Sequence, residues 1–169
     1  MERLMLSKGF SYFFKAVNAL ADFVLLITLG GLFLTVIIQI IGRVVGAPAP
    51  WTEEVTRYLF LWMMFTALAY GFRFSESARV NVLINLFPKS IKNIFGIIYL
   101  IFTIGFFLFI AYFGVVLVYQ QITMHERGAA ILIPMAFIGL SVPISGILGV
   151  ITTIESIFER PEKIFGGVE

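Results

Sequence analysis

The chain has 169 residues, 60% of them hydrophobic and only 13% charged, with a formal net charge of +2. So much apolar surface exceeds what one soluble core of this size could hide, so part of the solvent must be lipid. The absence of cysteine and the single His125 exclude disulfides, thiolate catalysis and clustered metal ligands, and the weak, scattered charge excludes a nucleic-acid groove.

In chain order, residues 1–16 open with "MERLMLSKGFSYFFK", where Arg3, Ser7, Lys8, Ser11 and Lys15 share one face and Leu4, Met5, Phe10, Phe13 and Phe14 fall elsewhere. That is a basic amphipathic arm suited to an anionic leaflet. Residues 17–42 form a first membrane span, interrupted only by Asn18, Asp22 and Gln39, and too long to be a cleavable signal. Gly46, Pro48 and Pro50 break it, and Thr52 can cap a second span over 51–72 with Glu53 and Glu54 in its first turn. Over 75–88, Val80, Leu83, Ile84 and Phe87 recur at helical spacing before Pro88, which predicts a helix lying on the membrane surface. Residues 94–119 and 131–154 are the third and fourth spans, and 155–169 a polar tail. The fold class is an all-α integral membrane protein, one membrane domain with four transmembrane helices and two interfacial ones.

Orientation follows from lysine and arginine. Arg3, Lys8, Lys15, Arg73, Arg79, Lys89, Lys92, Arg160 and Lys163 fall on one side; Arg43, Arg57 and Arg127 fall on the other. Both termini are therefore expected in the cytoplasm, with the 39–58 stretch and the 121–130 segment outside.

Charge within so apolar a chain needs a reason. Arg43 ends the first span with Gln39 one turn below it, a polar stripe descending from the outer surface. Its guanidinium can meet Glu53 or Glu54 across the connector, or an acidic residue of another protein. Glu53 and Arg57 are also spaced i, i+4 in the favourable order, and Trp51 suits headgroup depth. Asp22 can pair with Arg73 or Arg79, or serve as a proton or sodium site. Catalytic triads, paired carboxylates, phosphate loops and redox ligands are missing, so no enzyme, cofactor or metal is expected.

The third span carries Phe95, Tyr99, Phe102, Phe106, Phe107, Phe109, Tyr112 and Phe113, more aromatic area than a small bundle encloses, so some of it must face lipid or a partner. Ser141, Ser145 and Gly149 make a small-residue strip on the fourth, open to a helix of this chain or of another subunit. Neither internal symmetry nor interrupted half-helices indicate a transport path within the chain.

Four stretches carry a family resemblance: "QIIGR" (39–43), "WTEEVTRYLFLW" (51–62), Arg73 followed by "RVNVLINLFP" (79–88), and "ILIPMAFIGLSVPISGIL" (131–148). The chain resembles the small membrane subunit, DctQ-like, of tripartite ATP-independent periplasmic (TRAP) transporters. It departs from that family's H-V-x-[IV]-D pattern, having Arg79 to Leu83 there. The resemblance implies a multi-pass protein of the bacterial inner membrane, partnered by a large multi-span TRAP subunit and a soluble periplasmic substrate-binding protein. It implies sodium-coupled uptake of an organic acid, C4-dicarboxylate or sialic acid, with this chain as scaffold and part of the docking surface. Arg43, Glu53, Glu54 and Arg57 lie where such docking is expected. The rival expectation is a self-sufficient proton-coupled exporter, a homodimer using Asp22.

Overall fold

A computed structural model describes residues 8–72 and 89–159. The expected 75–88 helix, Arg73 and residues 160–169 lie outside the described residues. Among the described residues five helices follow in order: α1, Lys8–Val44; α2, Pro50–Gly71; α3, Lys89–Thr123; α4, Met135–Gly139; and α5, Ser141–Glu159. Among the described residues, three stretches are long and apolar enough to cross a membrane: Tyr12–Val44, Ile94–Thr123 and Met135–Phe158. Helix α2 is a fourth long helix, but Glu53, Glu54 and Arg57 occupy its first two turns and it is not among the three.

Several boundaries differ from the sequence reading. The arm and first span are one unbroken helix from Lys8, because no proline stands between them to break it; at 37 residues α1 is about 55 Å long, well beyond the hydrocarbon thickness. Helix α2 starts before Thr52. Pro50 occupies its first turn with its fixed φ, Ala49 is the N-cap, and buried Thr52 donates its hydroxyl to the Ala49 carbonyl at 2.7 Å. Helix α3 runs four residues past the expected 119. The last span becomes helical only at Met135, is interrupted at Leu140, and continues through 155–159, beyond its expected end at 154. Pro143 explains the interruption: it lacks the N–H that would bond the Gly139 carbonyl, and its ring crowds that carbonyl.

Helix α1 packs on α2, α2 on α5, and α5 on α3, so α2 and α5 form the interior and α1 and α3 flank it. In the most apolar 18-residue stretch of each, only 11% of residues in α1 and 17% in α3 are buried, against 50% in the last span. Thr56 donates to Thr35 across α1 and α2 at 2.9 Å, and Thr152 of α5 donates to the Ala69 carbonyl of α2 at 2.9 Å. Between α3 and α5 the backbones approach closely. Gly146 lies against the Ala111 backbone and Gly149 against the Phe107 ring, with Phe72 edge-on to Phe107 at 5.0 Å. Ser141, Ser145 and Gly149 are buried in this packing within the chain itself. Phe107 is fully buried, whereas Phe95, Phe102, Phe106, Phe109, Tyr112 and Phe113 point outward.

Candidate functional site

The site lies at the end of the molecule where α1 joins α2 and α3 joins α4. Helix α1 closes in a left-handed turn at Gly46, whose φ is 75°. The Ala47 N–H bonds the Gly42 carbonyl and the Gly46 N–H bonds the Arg43 carbonyl, the double bond pattern that ends a helix when glycine can adopt this conformation. The turn sends the chain back through Pro48 to the start of α2 and brings Arg43 to Glu53.

Arg43 Nη2 lies 2.7 Å from Glu53 Oε1, and Gln39 Nε2 donates to the same oxygen at 3.1 Å. The polar stripe read from the sequence is therefore satisfied within the chain, around a small cleft lined also by Pro48, Ala49 and Pro50. The pair is exposed, the side chains at 64% and 56%, so water screens it and its contribution to stability is a fraction of a kcal/mol. Glu53 turns to Arg43 and not to Arg57, which is exposed and makes no ion pair among the described residues. Trp51, at the head of α2, is 44% exposed.

Glu54 faces the other way. Its Oε1 accepts the Ala129 N–H at 2.9 Å, and its Oε2 accepts those of Ala130 and Ile131 at 2.7 and 2.6 Å; the Tyr58 hydroxyl also donates to Oε1. One carboxylate thus satisfies three consecutive backbone donors that no regular structure would serve. The loop it holds is a small hairpin, in which Gly128 N–H bonds the Ile133 carbonyl and Met135 N–H bonds the Glu126 carbonyl. Gly128 has to be glycine here, because a Cβ would fall on the Glu54 carboxylate, the Ile131 carbonyl and the Tyr58 hydroxyl. His125, at φ 52°, begins the turn.

At the opposite end, Asn18 Nδ2 donates to Glu155 Oε1 at 2.7 Å, both residues buried, joining the start of α1 to the end of α5. Glu155 falls in the segment expected to be tail, so the pair has one usable signal in the sequence, a carboxylate following directly on an apolar run. Asp22 is exposed on α1, and its expected partners Arg73 and Arg79 lie outside the described residues. No group of acidic or histidine side chains suited to a metal occurs among the described residues.

Residues 32–162 match the family model described as the DctQ component of tripartite ATP-independent periplasmic transporters. The chain belongs to that family. The matched region contains both carboxylates of the site, Arg43 and the whole Glu54 loop. Among curated relatives, the chain is 26% identical over 100 residues to the isethionate TRAP transporter permease protein DctMQ of Oleidesulfovibrio alaskensis, a match covering 59% of this chain and 16% of that protein. It is 30% identical over 56 residues to the C4-dicarboxylate TRAP transporter small permease protein DctQ of Pseudomonas aeruginosa, covering 33% of this chain and 27% of that protein. The matches thus span well under a third of each relative's length.

Proposed function

We propose that this DctQ-family chain is a non-catalytic membrane subunit of a sodium-coupled, binding-protein-dependent transporter for small organic acids in the bacterial inner membrane. It braces a large membrane subunit and offers part of the surface on which a soluble periplasmic protein docks. The family match over residues 32–162 carries the reading. The match to a protein named DctMQ, of which the aligned stretch is only 16%, supports work against a larger membrane protein, and so do the outward apolar faces of α1 and α3. The relatives' names, isethionate for one and C4-dicarboxylate for the other, support a small organic anion as cargo, whereas a sialic acid rests on the family resemblance alone. In this reading the loop end is periplasmic and both termini are cytoplasmic. A fourth crossing by α2 is supported by its bonds, since it reaches from the Glu54 loop at one end to Thr152 near the other.

Arg43, Glu53 and Arg57 then form the exposed docking group, Glu54 holds the loop beside them, and Trp51 anchors the headgroup layer. The small strip at Ser141, Ser145 and Gly149 braces the chain's own helices, so partner contact falls to α1 and α3. The test is uptake by the reconstituted complex, with succinate, sialic acid and isethionate as probes. The chain by itself moves none of them, and Arg43→Glu cuts uptake by the complex roughly ten-fold or more, through slower and less salt-dependent association with the binding protein, while the large subunit still co-purifies. Transport by the isolated chain, abolished by Asp22→Asn, would overturn the proposal in favour of the exporter.

A further inference from the structure

The charges at the loop end can be accounted for one by one. Arg43 is neutralised by Glu53, and the Glu54 carboxylate is consumed by three backbone N–H groups and the Tyr58 hydroxyl. Two cations are left on either side of Glu54: Arg57, one helical turn beyond it, and Arg127, two residues before the backbone that it grips. Arg127 is exposed and has no ion pair among the described residues, and its backbone is fixed by a bridge to Pro134. Exposed Glu126 is the one acidic neighbour in that loop. Because the loop backbone is already pinned, contact with a carboxylate costs this guanidinium side-chain freedom only and no ordering of the loop.

We infer that Arg127 is a further docking contact, a cation presented to an acidic patch on the soluble partner, and that Glu54 is the positioning residue that holds its loop against α2. The inference rests on the docking reading proposed above. It adds the second outer loop to a surface otherwise built only from the first.

The experiment uses the intact membrane complex in nanodiscs and its cognate soluble binding protein, with Kd measured at low and high salt. Arg127→Gln weakens binding roughly ten-fold at low salt and flattens the salt dependence, whereas Arg127→Lys, which keeps the charge, lies closer to wild type. Glu54→Gln weakens binding several-fold and speeds amide exchange at 129–131; because it acts through Arg127, the double variant binds no more weakly than Arg127→Gln alone. A low-salt Kd for Arg127→Gln within about two-fold of wild type, or effects that multiply in the double variant, overturns the inference. Should Glu54→Gln fail to assemble, the two Arg127 variants decide. If Arg43→Glu weakens binding while Arg127→Gln does not, docking stands and Arg127 is removed from it; if neither changes Kd, the docking reading falls as well.

Discussion

Glu53 and Glu54 are neighbours in sequence, yet each serves a different hairpin, because consecutive residues on a helix diverge by about 100°. Glu53 points to the end of α1, Glu54 to the loop between α3 and α4. The first contact is exposed and weak; the second is specific, because three N–H groups converge on one carboxylate and Gly128 leaves the space for it. Gly128→Ala is therefore expected to destabilise the loop by about 1–3 kcal/mol, since the added Cβ has to displace backbone as well as side chains. Gly105→Ala is the matched comparison. A Cβ there meets nothing within 4 Å, and alanine is the better helix former. Denaturation in mixed micelles should leave Gly105→Ala at or above wild type and Gly128→Ala clearly below it. Equal midpoints for the two would show that the close contacts at 128 are relieved at no cost.

Helices were legible in the sequence wherever apolar length specified them, and much less so at their ends. The restart after Gly46 and the pairing of Arg43 with a carboxylate across the connector could be read because glycine, proline and opposite charges lie within a few residues. The Glu54 latch could not, because its partners are backbone groups 75 to 77 residues away with no side-chain signature. Apolar Ile131–Pro134 was read as helix for a related reason: hydropathy does not reveal that the Ile131 N–H is already bound to Glu54. The α3 and α5 pair depends on glycine differently. A Cβ on Gly146 would lie 2.6 Å from the Ala111 backbone nitrogen, and one on Gly149 would enter the Phe107 ring. In lipid, helix association draws on close packing more than on burial of apolar surface, so these positions set the distance between the helices. Gly146→Leu should cost about 1–3 kcal/mol by forcing α3 away from α5. The purified protein would then show a lower denaturation midpoint and faster amide exchange along α3, with α1 and α2 unchanged; uniform exchange along all helices would mean that the pair does not pack as an independent seam.

At the scale of the molecule, three polar ties at the two ends of the bundle set the helices in register with one another. The Arg43–Glu53 pair and the Glu54 latch gather the α1–α2 and α3–α4 connections at one end, while Asn18 and Glu155 meet at the other. Groups tied by hydrogen bonds must lie on the same side of a bilayer, so Trp51 and Thr123, each exposed and within a few residues of those connections, should share one face, and Lys15 should lie towards the opposite one. The chain has no cysteine, so single-cysteine variants report without background. In intact cells an impermeant maleimide should label Trp51→Cys and Thr123→Cys, because arginine and lysine are concentrated towards the other side. Lys15→Cys should react only after the inner membrane is opened. Labelling of Trp51→Cys without Thr123→Cys would contradict the latch, whereas labelling of Lys15→Cys alone would keep the fold and invert it, turning the Arg43, Arg57 and Arg127 surface away from any periplasmic partner.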